Sequence, residues 1–186
     1  GSPISIRSPA DAVANGIVYV PEDRGRQGAI GDMPIFQNIT LPSLDNTSRA
    51  GFLRLVEEFK LARDYTERLN LRAASLDTAV SNLSGGNQQK VVIAKWLATQ
   101  PKVIILDEPT KGIDIGSKAA VHEFMAELAS EGLAVIMVSS EIPEVIGMSD
   151  RIIVMREGRI AKELSGEEIS PETLVGYAAG LLEADQ

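Results

Sequence analysis

Short apolar runs alternate along this chain with longer segments whose apolar positions recur at helical spacing. The runs GIVYV at 16–20, KVIIL at 102–106 and LAVIMVS at 133–139 have the length and content of β-strands. A run that is apolar at every position is typical of a parallel sheet covered on both faces. The pattern therefore predicts a mainly parallel sheet that contains these three segments as buried strands.

The other patterned segments predict helices. They are expected at residues 52–69, 85–100, 116–131, 141–148 and 171–183. The first of these segments can place a row of side chains on one face: Phe52, Leu55, Phe59, Ala62 and Tyr65.

Turn and loop signals separate these elements. Gly132 suits the end of the third helix. Glu157 and Gly158 suit the turn of a hairpin over 151–164. The polar, glycine-rich segment 22–32 predicts a surface loop. Because strands and helices alternate from about residue 84 to 140, the fold class is α/β with crossover connections.

Composition narrows the class of protein. The 186 residues are enough for one domain with a real core, and the formal net charge of −8 argues against a nucleic-acid or anionic-membrane surface. The absence of cysteine excludes disulfides and thiolate metal sites. The longest apolar runs are shorter than a membrane span.

Two adjacent carboxylates follow the strand VIILD. A parallel strand delivers its last side chains to the sheet edge where ligands bind in open α/β folds. Asp107 there suits a magnesium ion held through water, and Glu108 suits a general base that polarises an attacking water. A strand followed by a charged turn has the same sequence pattern, and this alternative stays open.

A second candidate site is LSGGNQQK at 83–90. Two glycines behind Ser84 let backbone N–H groups approach an anion at the positive end of a helix. A simple helix cap is the alternative. Asp114 in KGID suits an N-cap, and Ser140 in VSSE follows a strand. His122, the single histidine, falls within a predicted helix, which favours a structural role.

In order and spacing these motifs resemble the nucleotide-binding domain of ATP-binding-cassette (ABC) transporters. LSGGNQQK is similar to the family signature, VIILDE to the Walker B strand with its catalytic glutamate, and GID to the D-loop. The longer forms YVPEDRGRQG and SDRIIVMREGRI resemble the sugar-importer branch, in which one polypeptide carries two cassettes. This chain resembles the second cassette over nearly all of residues 3–182.

The resemblance implies a P-loop NTPase (RecA-like) cassette with an inserted α-helical subdomain. Its parts would be the end of a β-subdomain with a core strand and the Q-loop (1–35), the helical subdomain (36–83), the signature helix and core half with a hairpin (84–165), and a C-terminal helix and tail (166–186).

The resemblance also implies roles for individual residues. Cassettes of this family pair head to tail, so a signature completes the ATP site of the opposite cassette. The residues implied at ATP in this way are Ser84, Gly85, Gly86, Asn87 and Gln88, with Asp114 in the D-loop. Asp107 would hold magnesium and Glu108 would be catalytic.

The chain departs from the family pattern in three respects. Nothing in it matches G-x-x-x-x-G-K-[ST], the phosphate loop, so we expect an incomplete cassette, truncated upstream of residue 1. The Q-loop glutamine falls at Glu22, whose carboxylate repels a γ-phosphate unless magnesium or Arg24 offsets it. The switch histidine falls at Ser140, and serine cannot carry an imidazolium charge. We therefore expect a weakened hydrolytic site beside Glu108.

The resulting hypothesis is the ATP-binding subunit of a monosaccharide importer, which would hydrolyse ATP with Mg²⁺ on the cytoplasmic face of the membrane. Its partners would be the first cassette, the permease subunits and, indirectly, a sugar-binding protein, but not nucleic acid. The alternatives are a non-catalytic cassette remnant that acts as an interaction module, and a soluble ABC-type ATPase. This chain alone is expected neither to bind nor to hydrolyse ATP. Missing core elements are expected to leave an exposed sheet edge and exposed apolar surface, and both would favour self-association.

Overall fold

Helices and strands follow one another through two units of the chain, residues 1–138 and 139–186. The computed structural model describes residues 3–49 and 51–182, so Gly1, Ser2 and the last four residues of the predicted tail lie outside the described residues. The division into four parts, at 35, 83 and 165, stays a prediction.

The first unit contains the predicted strands and most of the predicted helices. In chain order its elements are α1 (Pro9–Ala14), β1 (Ile17–Val20), α2 (Ile35–Thr40), α3 (Leu44–Thr47), β2 (Ser48–Arg49), β3 (Phe52–Leu53), α4 (Leu55–Arg68), α5 (Gly85–Leu97), β4 (Val103–Asp107), α6 (Ile115–Ser130) and β5 (Ala134–Val138).

A three-stranded sheet in the order β1-β4-β5 forms the centre of this unit. Both pairings are parallel, and their register places Val18 beside Ile104 and Ile104 beside Val135. The connections from β1 to β4 and from β4 to β5 contain helices, as parallel neighbours require. The predicted parallel α/β sheet is confirmed.

Only one face of this sheet is well buried. Ile104 and Leu106 are almost fully enclosed, whereas Tyr19, Ile136 and Val138 on the other face are 46%, 50% and 49% exposed. The prediction that these strands are covered on both faces, and that 133–139 forms a buried strand, was wrong. A run that is apolar at every position indicates that the strand is hydrophobic. It does not by itself show that another layer of this chain covers both faces.

Helix α5 crosses the buried face and joins the sheet to the preceding helices. Its side chains Val91, Val92 and Ala94 are fully buried. The Tyr65 hydroxyl of α4 donates to the Leu97 carbonyl at 2.8 Å, close to the end of α5. The helix that begins at Gly85, directly after Ser84, is therefore fixed along most of its length.

The segment 52–69 is less regular than its sequence pattern suggests. Phe52 lies in the short strand β3, 79% exposed, and α4 begins only at Leu55, which is 59% exposed. The buried residues of α4 are Glu58, Ala62 and Thr66. The predicted row was wrong at its first two positions because residues 52–53 are extended and the helix begins only at Leu55, which is exposed.

Glu58 is a buried carboxylate within this helical region. It accepts a hydrogen bond from the Thr40 hydroxyl at 2.9 Å, which compensates part of the cost of its burial.

The segment 22–32 also differs from the predicted surface loop. It contains one π-helical turn, Arg24–Gly28, capped by the Asp23 side chain, which accepts from the Arg26 amide.

The second unit has its own apolar core. Its elements are α7 (Ile142–Met148), β6 (Arg151–Arg156), β7 (Arg159–Ser165) and α8 (Pro171–Ala179). Strands β6 and β7 form the predicted hairpin, with Glu157 and Gly158 at φ +51° and +76° in the turn. The last helix is shorter than predicted, because Gly180 at φ +76° ends it. The core consists of Ile152, Val154, Leu164 and Leu174.

Gly132 ends α6 in the left-handed region, at φ +93°, with no atom near the position of an added Cβ. Gly132→Ala is therefore expected to destabilise the first unit by about 1 kcal/mol through backbone strain alone. Urea unfolding followed by the fluorescence of Trp96, the single tryptophan, measures this. Gly116→Ala in the same helix is the control. Its Cβ would lie 3.4 Å from the Asp114 carboxylate, an ordinary contact, so no loss of stability is expected.

Candidate functional site

The carboxylate Asp107 ends β4 at the carboxyl edge of the parallel sheet. Its Oδ2 accepts a hydrogen bond of 2.6 Å from the Tyr19 hydroxyl of β1. This hydrogen bond, together with the charge of Asp107, raises the pKa of Tyr19 above its ordinary value. Tyr19 therefore remains a neutral donor at physiological pH and holds the carboxylate in one orientation.

Glu108 has an unusual backbone conformation. Its φ of +47° lies in the left-handed region, which costs a residue with a Cβ roughly 1–3 kcal/mol. The surrounding backbone holds it there, since the Glu108 amide donates to the Val138 carbonyl and the Lys111 amide donates to the Glu108 carbonyl. Glu157 in the hairpin turn has the same conformation, so a strand followed by a charged turn accounts for this geometry as well.

Glu22, which follows β1, lies at the same edge. Lys111 Nζ contacts its Oε1 at 2.6 Å, and this hydrogen bond raises the pKa of Lys111. Arg24 was expected as a cation that could offset Glu22. In the structure the cation paired with Glu22 is Lys111, whereas the Arg24 guanidinium donates to backbone carbonyls.

The N-terminus of α5 differs from a simple capped helix. Ser84 occupies the N-cap position but its side chain makes no capping hydrogen bond within the described chain. Its hydroxyl instead accepts from the side-chain Nδ2 of Asn87 at 2.9 Å, and the Asn87 Oδ1 accepts from the Arg72 backbone amide. Gln88 Nε2 donates to the Leu83 carbonyl. These bonds order the side chains at the positive end of the helix.

The two glycines of this sequence allow a close approach between α5 and the segment after β4. A Cβ added to Gly86 would lie 2.7 Å from Ser117 Oγ, and one added to Gly85 would lie 2.7 Å from Arg24 Nη2. No other residue type fits at Gly86 without moving α6. The glycines therefore serve packing as well as the backbone exposure that the sequence predicted.

Asp114 is the N-cap of α6, as the sequence predicted. Its Oδ1 accepts from the Ser117 amide at 3.0 Å and its Oδ2 from the Ser117 hydroxyl at 2.7 Å. Both hydrogen bonds lower the pKa of Asp114, and the one from the Ser117 hydroxyl has the larger effect. A role for Asp114 at ATP stays a prediction.

Ser140 belongs to the second unit. On one side of it, the Ser139 hydroxyl accepts from the Glu141 amide and donates to Glu144, whose side chain is buried in α7. The segment that carries Ser140 is therefore ordered by its neighbours.

His122 lies in α6, where its sequence position placed it.

The candidate residues of the first unit fall into two groups, one at the sheet edge and one at the N-terminus of α5. Glu22, Asp107 and Glu108 lie at the sheet edge, and Arg24 connects the segment after β4 with the N-terminus of α5. Sequence reasoning missed Tyr19 and Lys111. The strand register alone reveals Tyr19, because Tyr19 is paired with Ile105, two residues before Asp107 on the same face of the sheet.

The described residues, 3–49 and 51–182, contain no group of three or more acidic or histidine side chains arranged to hold a metal ion by themselves. No helix there combines the length and apolar character that crossing a membrane demands.

Comparison with known families identifies the class. The profile of the ABC transporter family matches residues 6–111, more than half of the chain. The chain therefore belongs to the ABC transporter family, as its motifs indicated.

Curated relatives resemble the chain over almost its whole length. The ribose import ATP-binding protein RbsA of Roseobacter denitrificans is 80% identical over 181 residues, which are 97% of this chain and 35% of that protein. The protein of the same name from Geobacillus kaustophilus is 47% identical over 97% of this chain and 36% of its own length. The chain thus spans about a third of the length of the curated relatives it matches.

Solved structures confirm the fold. An ATP-binding cassette of an ABC transporter, MJ1267, superposes with a TM-score of 0.75 at 25% identity, covering 92% of this chain and 71% of that one. CbiO1 from Clostridium perfringens, part of the ABC transporter complex cbiONQ, has a TM-score of 0.69 at 26% identity and is covered to 64%. The fold is part of a P-loop NTPase cassette, mixed α/β with a parallel sheet, as predicted.

Proposed function

We propose that this chain forms part of the second cassette of the ATP-binding subunit of an ABC importer for ribose or a similar monosaccharide. Such a subunit couples ATP hydrolysis to uptake from the cytoplasmic face of the membrane, where permease subunits hold it. Relatives at up to 80% identity that are named as ribose import ATP-binding proteins support the substrate class.

One observation carries the assignment to a composite ATP site. At the N-terminus of α5, Gly86 lies against Ser117 of α6, Gly85 lies under the Arg24 guanidinium, and the Gly112 carbonyl of the loop after β4 is at contact distance from Gly85. A rigid surface that combines a helix N-terminus with a hydroxyl, Ser84, suits a phosphate group presented by another molecule. This surface would complete the ATP site of the first cassette through Ser84, Gly85, Gly86, Asn87 and Gln88.

The chain's own carboxylates would serve the second ATP site. Magnesium in proteins is commonly held by one or two carboxylates together with substrate phosphates and water, and a single oriented carboxylate at Asp107 fits that pattern. Magnesium there would neutralise phosphate charge when bound. Glu108 would orient the attacking water. Glu22 and Ser140 would occupy the Q-loop and switch positions, where a carboxylate repels phosphate and a serine carries no positive charge.

Loss and restoration of uptake test the proposal. A cell that lacks the full-length protein is expected to lose ATP-dependent ribose uptake, and the wild-type protein, with its first cassette and permease, is expected to restore it. Membrane vesicles with the permease should bind the protein peripherally. Normal ribose uptake in the deleted strain, with no other monosaccharide affected, would contradict the assignment and favour a cassette remnant or a soluble ATPase.

This 186-residue chain by itself is expected to bind no ATP detectable by calorimetry up to millimolar nucleotide. The sequence contains no phosphate loop, and the surfaces at Ser84 and Asp107 contact ATP only when such a loop anchors the nucleotide. Micromolar binding by the wild-type chain would contradict this. Circular dichroism of the same sample is the control that separates absence of binding from absence of folding.

A further inference from the structure

We propose that Arg24 is a positioning residue that fixes the loop 111–114 against the N-terminus of α5, so that both present one rigid surface. The contact itself is independent of the proposed function. Only its consequence for ATP rests on the composite site proposed above.

The guanidinium of Arg24 bridges two elements that are distant in sequence. Its Nη1 donates to the Lys111 carbonyl at 3.0 Å and its Nη2 points to the Gly112 carbonyl at 3.4 Å. Gly112 has a φ of +67°, and this left-handed turn directs both carbonyls toward the same donor group. A planar guanidinium can serve two such acceptors at once, which a lysine ammonium on its flexible stem does less well.

The same guanidinium packs over the first residue of α5. A Cβ on Gly85 would lie 2.7 Å from Arg24 Nη2 and 3.5 Å from the Gly112 carbonyl oxygen. The guanidinium therefore fills the space between the loop and the helix. A methyl group at Gly85 would displace the end of the Arg24 side chain, which gives the first glycine of the signature a role in packing separate from phosphate binding.

The backbone that carries Arg24 is itself anchored. Gly28, at the end of its π-helical turn, is buried against Val92, which an added Cβ would meet at 2.9 Å. Lys95 Nζ donates to the Gly28 carbonyl at 3.0 Å, and the burial of this amine lowers its pKa. The π-helical turn is thus held on α5 through Gly28, its last residue. Its first residue, Arg24, reaches the loop 111–114.

A second contact joins the same two segments. Lys111 pairs with Glu22, two residues before Arg24. Both partners are largely exposed, so this ion pair adds little by itself. The half-buried guanidinium, with its two carbonyl acceptors, is the stronger connection. The segment 22–28 is therefore joined to the loop 111–114 by both side chains, and to Gly85 by Arg24.

Hydrogen exchange of this chain tests the contact directly. The amides of Lys111 and Ser117 are hydrogen bonded within the loop and at the start of α6. Arg24→Ala, and to a smaller extent Arg24→Lys, is expected to accelerate their exchange about tenfold, the loss expected for a charge-assisted hydrogen bond. Arg26→Ala in the same turn is the matched control, since its side chain is largely exposed, and should leave both rates unchanged. Unchanged rates in Arg24→Ala would overturn the proposal.

A double-mutant cycle distinguishes this role from a general loss of stability. Gly85→Ala should destabilise the wild-type chain, because its methyl group displaces the guanidinium, and should cost nothing in the Arg24→Ala background. Additive effects would overturn the proposal even if every amide exchanged faster. In a two-cassette protein, Arg24→Ala should raise KM for ATP more than it lowers kcat. If hydrogen exchange and the double-mutant cycle confirm the contact but KM for ATP is unchanged, the positioning role of Arg24 stands and only the proposed composite ATP site is contradicted.

Discussion

Ser84→Asp in the two-cassette protein is expected to reduce ATP turnover on the order of a hundredfold or more. Ser84 is exposed at the N-cap of α5, and in the proposed site its hydroxyl faces the phosphates of the ATP held by the first cassette. A carboxylate about 4 Å from a phosphate charge is disfavoured by about 4 kcal/mol at an effective dielectric constant of 20. Each 1.4 kcal/mol of that energy corresponds to a factor of about ten in rate or affinity.

The substitution is chosen because it preserves the helix. Aspartate is as good an N-cap residue as serine, so α5 keeps its start and its packing against the sheet. Ser84→Asn is the matched control, because asparagine caps as well, has nearly the size of aspartate and carries no charge. Turnover within about tenfold of wild type in Ser84→Asn, beside the large loss in Ser84→Asp, would assign the effect to charge at a phosphate site.

Glu108→Gln in the same protein separates the two ATP sites. We expect it to leave substantial turnover, because in the proposed second site Glu22 and Ser140 replace the glutamine and histidine of the family pattern and would already weaken hydrolysis there. Complete loss of turnover in Glu108→Gln, together with normal turnover in Ser84→Asp, would contradict the proposal. The site that Glu108 serves would then be the main hydrolytic site, and the site completed by Ser84 would not. A steady-state phosphate-release assay with all three variants decides between these outcomes.

The sequence predicts the elements of the fold well because periodicity and turn residues act locally. The strands at 17–20, 103–107 and 134–138 and the turn at Glu157-Gly158 lie where the patterns placed them. The extent of burial was not predictable in this way. Ile104 and Ile136 are equivalent as sequence, and only the assembled layers make the first fully buried and the second half exposed.

The candidate site shows the same limit. Asp107, Glu108 and Ser84 could be chosen from sequence because their residue types follow a strand or precede a helix. The partners of these groups could not, since Tyr19 reaches Asp107 and Arg24 reaches Gly112 across 88 residues of chain. Such contacts depend on strand register and on the packing of α5, which no short window of the sequence contains.

Ile104→Ala is expected to destabilise the first unit by about 3–4 kcal/mol. Ile104 is fully buried at the centre of β4, between its partners Val18 and Val135. The substitution removes three carbons from a site whose neighbours are held by two strands and by α5, so the cavity can collapse only in part. Urea unfolding followed by Trp96 fluorescence reports on this unit, because the tryptophan lies in α5.

Ile136→Ala makes this a test of how the sheet is covered. Ile136 lies on the neighbouring strand but on the half-exposed face, so the same truncation should cost only about 1 kcal/mol. Equal losses at both positions would mean that both faces are buried, as the apolar runs predict by themselves. A loss confined to Ile104 would mean that the outer face, which carries Tyr19 beside Asp107, leaves its apolar side chains accessible in this chain.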